Sequence, residues 1–282
     1  MITIKTENLS FTYNISTPFE KAAVKNINIE INQGEFVGII GHTGSGKSTL
    51  IQHFNGLIKP TQGHVFIDGV DIWESKKTLK EVRKKVGLVF QYPEYQLFAE
   101  TVFDDIAFGP KNLGLKSINT LVEDAARIVG LDPGLLRKSP FELSGGQKRR
   151  AAIAGVIAMK PKILILDEPI AGLDPMGKDE MLKLICEYRK ETGATVLFIT
   201  HNMDDIVPLA TKILVLNQGE IFAYDDVKSV FSKSAELSEM GLSVPYVTKV
   251  LLELKARGCD VNTDAYTVEE AVAEIRAALS KG

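Results

Sequence analysis

The sequence lacks a long apolar run. No stretch approaches the ~18 continuous apolar residues of a membrane span, although 45% of its 282 residues are apolar. A role at a membrane would therefore be played from outside the lipid. Cysteine is scarce as well: Cys186 and Cys259 are the only two, far apart and in helix-like or helix-flanking contexts. Spare thiols in a reducing compartment are the expectation, and a disulfide framework is not. Charge of one sign is missing too. The net charge of −3 and pI near 5.9 give no global footprint for nucleic acid. The opening "MITIKTENLSF" carries Lys5 and Glu7 where a signal peptide has an apolar run, so a cytoplasmic-type chain is expected. No repeat or low-complexity tract appears. The length suits one large domain with an appendage.

What is present is an alternation of short apolar strands and helical patterns. "ITIKTENLSFTY" and "KNINIEI" alternate as strands, and "GHVFIDG" is a third between glycines. "GEFVGIIG", "VGLVFQ", "KILILDEP" and "TVLFITH" are apolar runs with the look of central parallel strands. "KSTLIQHFNGL" has helical spacing through Leu50, Phe54 and Leu57, and "KKTLKEVRKK" is a basic, solvated helix. From about residue 96 to 160 the pattern is helical, an insertion within an α/β unit. A last strand pair, "KILVLNQGEIFAYD", turns at Asn217–Gly219. Beyond residue 225 the chain becomes a helical appendage. Val247, Val250, Leu251 and Leu254 share one face, which predicts a sticky side. Thr267 and Glu270 form a capping box for the last helix.

"GHTGSGKST" comprises Gly41, His42, Thr43, Gly44, Ser45, Gly46, Lys47, Ser48 and Thr49. Set between an apolar strand and a helix, it fits a phosphate-binding loop. Its glycines let backbone N–H groups turn inward around a β-phosphate, aided by the helix N-terminus. Lys47 reaches the β- and γ-phosphates and the Ser48 hydroxyl suits Mg²⁺. In "ILILDEP" two acids end a strand expected beside the loop's strand. Asp167 is then the carboxylate on the Mg²⁺ side and Glu168 the one that polarises an attacking water. Gln91 and His201 each end an apolar run, at the sheet edge where ligands bind in open α/β folds. Gln91 suits Mg²⁺ or the lytic water, and His201 the γ-phosphate.

A second glycine loop, "LSGGQKRR", lies about a hundred residues further on. Ser144, Gly145, Gly146 and Gln147 precede or open a helix, another anion site. This loop has no lysine to hold a triphosphate and no acid for Mg²⁺. It suits half a task, capping the γ-phosphate of a nucleotide held by another subunit. A plain helix cap would explain Ser144 and leave the glycine pair without a reason.

In order, "GHTGSGKST", Gln91, "LSGGQ", "ILILDE", "GLD" and His201 resemble an ATP-binding cassette (ABC) ATPase over roughly residues 1–225. The resemblance implies an α/β P-loop NTPase fold with a helical subdomain inserted, followed by a helical dimerisation extension over 226–282. It implies ATP and Mg²⁺ as ligands and a head-to-tail dimer holding two ATPs. Tyr13 would stack on adenine and Asp174 would lie on the loop between the two active sites. A narrower likeness runs through "QYPEYQLFAETVFDDIAFGPKNLG" and "FELSGGQKRRAAIAG". These stretches resemble the ATPases of energy-coupling factor (ECF) transporters and cobalt importers, nearest to the second of the two ECF ATPases. That likeness implies a second ATPase as partner, either a non-identical paralogue or a copy of this chain. It also implies a transmembrane coupling subunit and a membrane subunit binding vitamins or metal ions, with this chain peripheral on the cytoplasmic face and no nucleic-acid partner. Ile170 departs from the family's usual threonine.

Two other classes are weighed. A soluble cassette ATPase of DNA repair or translation would usually carry coiled-coil insertions or two cassettes, and neither is present. A binding module without turnover is opposed by the presence of Glu168, Gln91 and His201. The acids Glu94, Glu100, Asp104 and Asp105, set among Tyr95, Leu97 and Phe98, are expected to receive basic coupling helices of a membrane partner.

Overall fold

The computed structural model describes residues 1–280. In chain order it runs β1 (Ile2–Tyr13), β2 (Lys21–Asn32), β3 (Phe36–Ile40), α1 (Lys47–Phe54), β4 (Gln62–Ile67) and β5 (Val70–Asp71). Then follow α2 (Lys76–Lys85), β6 (Val86–Val89), α3 (Val102–Asn112), α4 (Ile118–Ile128), α5 (Gly145–Ile157), β7 (Ile163–Asp167) and α6 (Pro175–Thr192). The last elements are β8 (Thr195–Ile199), α7 (Met203–Ile206), β9 (Lys212–Asn217), β10 (Glu220–Asp225), α8 (Val227–Phe231), α9 (Ser234–Glu239), α10 (Tyr246–Ala256) and α11 (Val268–Leu279).

Every residue of β3, β7 and β8 is buried. Strands covered on both faces need no polar side, which is why these stretches read as unbroken apolar runs. They lie in a six-stranded sheet of order β10-β9-β3-β8-β7-β6, parallel except for β10. A second, antiparallel sheet of order β2-β1-β4-β5 faces it. Helix α1 is buried between the two, where Leu50, Ile51 and Phe54 join a core with Ile4, Val65, Ile39 and Leu197. The other face of the large sheet carries a second core. There Phe36, Leu164 and Phe198 meet Ile106, Ala126 and Ile153 of the helical insertion and Met181, Ile185 and Tyr188 of α6.

Register places the loops that matter. Val89 pairs with Leu166, Asp167 with Ile199, and Ile39 also with Ile199. The chain therefore leaves β3, β6, β7 and β8 at one edge of the sheet, the edge where open α/β folds bind ligands.

Three local expectations change. Helix α1 stops at Phe54, so Leu57 lies beyond it and is 48% exposed. Strands β6 and β8 end at Val89 and Ile199, so Gln91 and His201 each stand two residues past the sheet. In the tail, Leu251 is sealed against Val261, Ala265 and Ala271, with Val247 and Leu254 packed alongside. The face read as sticky is thus largely covered by α11 and the preceding loop. The exposed apolar positions here are Tyr246, Leu252, Val268, Val272 and Leu279. The extension is tied back to helix α7 by the Tyr246 N–H, which donates to the Asp204 carboxylate at 2.9 Å. Lys281 and Gly282, the end of the expected extension, lie outside the described residues.

Candidate nucleotide site

The first glycine loop is closed from within its own chain. Gly46 has φ +101°, and a Cβ there would stand 2.3 Å from the Ala23 carbonyl oxygen. A Cβ on Gly41 would stand 2.4 Å from the Leu216 oxygen. Only glycine fits such approaches. Lys47 is 6% exposed and donates to the carbonyls of Gly41 at 2.7 Å and His42 at 2.9 Å. Burial lowers its pKa, against the pull of the Glu168 and Asp167 carboxylates. The His42 ring reaches Thr43 O at 2.8 Å and Asn217 Oδ1 at 3.2 Å, pinning the loop to the end of β9. A cleft of about 210 Å³ is lined by Tyr13, Lys21, Gly44, Lys47, Ser48 and Thr49, among others. It joins the loop to the aromatic expected beneath a base.

The adjoining strand end brings four polar groups together. Asp167 is 6% exposed. Burial raises its carboxyl pKa, opposed by the Ser48 hydroxyl bonded to it, while the Glu168 charge pushes the same way as burial. Glu168 has φ +50°, a left-handed conformation uncommon for a residue with a side chain. It is fixed by its N–H donating to Ile199 O at 3.1 Å. One carboxylate oxygen accepts from the Gln91 amide at 3.0 Å, and the other is paired with His201 Nε2. The two residues read as separate contacts to metal and phosphate thus converge on Glu168 itself. As for a metal, a hydroxyl, a carboxylate and an amide oxygen from Ser48, Asp167 and Gln91 suit a hard cation. Among the described residues no three His, Cys, Asp or Glu side chains form a protein cage. The oxygen donors present fit Mg²⁺, which is usually held by one or two protein groups together with phosphates and water.

The second glycine loop is built differently. Ser144 caps α5, accepting from the Gln147 N–H at 3.3 Å, while Gln147 Oε1 accepts from the Ser144 N–H at 2.9 Å. A Cβ built on Gly145 or Gly146 would meet nothing within 4 Å, and neither glycine has a left-handed φ. None of the four residues lines the cleft below Tyr13. Asp174 is exposed and caps α6, accepting from the Gly177 N–H at 2.7 Å.

With that geometry in place, the profile of the ABC transporter family matches residues 24–171, more than half of the chain. The chain belongs to the ABC transporter family. Its fold is that of the family's P-loop ATPase domain, and ATP is the ligand of such domains. The "Energy-coupling factor transporter ATP-binding protein EcfA2" of Caldanaerobacter subterraneus subsp. tengcongensis is 56% identical over 95% of this chain and 94% of its own length. The protein so named from Clostridium tetani is 52% identical, over 97% and 96%. The solved structure of cbiO1 from Clostridium perfringens, part of the ABC transporter complex cbiONQ, matches with TM-score 0.75 and 39% identity, covering 91% of this chain and 97% of that one. A dimeric ATP-binding cassette, MJ0796 bound to ADP and Pi, matches with TM-score 0.72 and 29% identity over 79% and 98%.

Several residues of this ABC ATPase were not legible as site residues. Arg149 is 4% exposed and donates to both Glu94 oxygens, at 3.0 and 2.6 Å, and to the Pro169 and Ala171 carbonyls. It ties the segment after Gln91 to the loop after Glu168. The doubled arginine was the available signal, but its partners are remote in sequence. This clamp also corrects the acidic-patch expectation. Glu94 is spent on Arg149, Asp105 accepts from the Phe98 and Ala99 N–H groups, and Asp104 is held by Thr101 and Lys111. What that surface exposes is Tyr95, Phe98 and Phe108 beside Glu100. Ile170 is buried in the core, so its branched side chain is accommodated. Behind Tyr13, Phe11 and His53 form contacts with no sequence signature.

Proposed function

We propose that this chain is the ATP-hydrolysing subunit of an ECF-type importer for vitamins or transition-metal ions, peripheral on the cytoplasmic face of the membrane. Its partners are a second ABC ATPase, a transmembrane coupling subunit and a substrate-binding membrane subunit. The names of its relatives support this, and no described helix is long and apolar enough to cross a membrane. The extension over 226–282 serves dimerisation, for which Val268, Val272 and Leu279 offer exposed apolar contact. Tyr95, Phe98 and Phe108 offer an apolar face for the coupling subunit.

Lys47 and the amides of residues 41–49 hold the β- and γ-phosphates, and Tyr13 stacks on adenine. Ser48, Asp167 and Gln91 hold Mg²⁺, which neutralises phosphate charge when bound. Glu168 accepts a hydrogen bond from the attacking water. The water oxygen bonds to the γ-phosphorus while one of its protons passes to the Glu168 carboxylate, the bond to the β–γ bridging oxygen breaks, and ADP leaves with that electron pair; Glu168 then gives the proton up to solvent. His201 donates to the γ-phosphate and Gln91 keeps Glu168 aligned. From the other subunit Ser144, Gly145, Gly146 and Gln147 cap the γ-phosphate, with Asp174 on the loop between sites. ATP binding closes the dimer and hydrolysis resets it, driving the membrane subunits.

The observation that carries the head-to-tail arrangement is the open space at Gly145 and Gly146. Glycine weakens a helix interior by up to ~1 kcal/mol relative to alanine, and no contact among the described residues demands it here. Close approach from outside does. The test is a mixed dimer with one Ser144→Arg subunit. Turnover should be lost at the site whose phosphate loop lies in the partner and kept at the mutant's own loop. Loss at the mutant's own loop alone would sink the arrangement.

A further inference from the structure

Behind Tyr13 the chain closes a ring of contacts that the proposed mechanism leaves unused. Tyr13 Oη lies 3.1 Å from Thr49 Oγ1. One helical turn along α1, His53 Nδ1 lies 2.7 Å from the Thr49 carbonyl oxygen. Since a carbonyl only accepts, Nδ1 carries the proton. The His53 ring stands edge-on to Phe11, with centroids 5.2 Å apart at 69°. Phe11 in turn stands edge-on to Tyr13, 4.7 Å apart at 89°. The path from Tyr13 through Thr49, His53 and Phe11 returns to Tyr13. It works because residues two apart share a strand face and residues four apart share a helix face. Edge-to-face pairing is a favoured aromatic geometry.

His53 is an odd choice for that place. It is fully buried, its Nε2 has no hydrogen-bond partner among the described residues, and burial lowers its pKa. A leucine would fill a buried helix position without an orphaned nitrogen, whose desolvation is unfavourable. What the imidazole offers instead is two contacts from one flat ring: an N–H for the Thr49 carbonyl and an edge for Phe11. Thr49 belongs to the phosphate loop, so the ring joins that loop to the aromatic at the other end of the cleft.

We propose that Phe11 and His53 are positioning residues that pre-set Tyr13 as a stacking face for a nucleobase, so that the chain distinguishes a nucleotide from bare polyphosphate. This rests on the reading of Tyr13 as the base platform. A ring held from its edge and its hydroxyl loses little freedom when a base settles on it, and that preorganisation appears as affinity.

The test is calorimetry on the full chain with two probes, ATP and inorganic tripolyphosphate. His53→Leu and Phe11→Leu should each weaken ATP binding about fivefold to tenfold, part of what stacking on an aromatic contributes. Tripolyphosphate binding should stay within about twofold, because the loop's own donors are untouched. Equal losses for both probes would mean damage to α1 and would overturn the proposal, as would unchanged ATP binding in both variants. Should His53→Leu fail to fold, Phe11→Leu on β1 decides alone. Tyr13→Ala separates the two layers of the argument. If it leaves the ratio of ATP to tripolyphosphate affinity intact, the platform reading itself fails. If it collapses that ratio while the two leucine variants keep it, only the brace fails.

Discussion

The two glycine loops of this chain obey opposite rules. At 41–46 the glycines are demanded from inside: side chains at Gly41 and Gly46 would strike the backbone of residues 216 and 23, and Gly44 has a left-handed φ of +82°. At 145–146 an added Cβ would meet nothing within 4 Å among the described residues. The first loop follows the fully buried strand β3 at the carboxyl edge of the large sheet, with Lys47 almost sealed off from solvent. The second opens a helix of the insertion, with Ser144 exposed. A binding feature whose form is fixed by its own fold is complete in one subunit. For the second, the proposed head-to-tail dimer supplies a cause from outside.

The largest effect that sharpens this contrast lies in the first half. Glu168→Gln should lower ATP turnover by ~10²–10⁴-fold, the usual worth of a general base. ATP affinity should be little changed, because the amide keeps the shape and an oxygen for Gln91. Phosphate release and binding calorimetry read the two separately, and wild-type turnover in that variant would remove Glu168 from the chemistry.

A smaller effect compares the loops directly in thermal melts. Gly46→Ala should destabilise by roughly 1–3 kcal/mol, because a left-handed backbone and a carbonyl both oppose the methyl group. Gly146→Ala should hold or raise stability by up to ~1 kcal/mol through helix propensity while still impairing turnover in the assembled dimer. If Gly146→Ala melts as low as Gly46→Ala, the contrast breaks.

The smallest effect concerns pH. Burial works against the Glu94 carboxylate, but hydrogen bonds and charge from Arg149 win and hold its pKa below the ordinary value. An acid with a depressed folded pKa stabilises the fold fully above its unfolded pKa and loses that contribution as pH falls through the folded one. Acid titration of the melting temperature should therefore be shallower below about pH 4.5 in Glu94→Gln, and less stable than wild type near neutrality. Identical acid slopes would show that the clamp does not feel Glu94's charge.

Much of this was legible in sequence. The phosphate loop, the two acids and the capping box of Thr267 and Glu270 are local patterns, because each needs only neighbours along one strand, turn or helix. The central strands were legible because burial on both faces leaves no polar alternation. The acidic patch was misread for the complementary reason. Glu94 and Arg149 are 55 residues apart, and no local pattern records that a helix of the insertion docks its arginine on the segment after Gln91. The tail was misread likewise, because an apolar helix face does not say whether its cover comes from the same chain.

The sequence alone determined where a glycine turn runs into a helix start with its backbone N–H groups free to face a ligand, since that arrangement is set by a few adjacent residues. The tertiary structure alone decided which side chains answer one another there. Gln91 and His201 meet on Glu168 across 77 and 33 positions of chain, and Phe11 on β1 reaches His53 on α1. Those meetings follow from strand order and the docking of layers, and a contact between distant residues exists only once the whole core has packed.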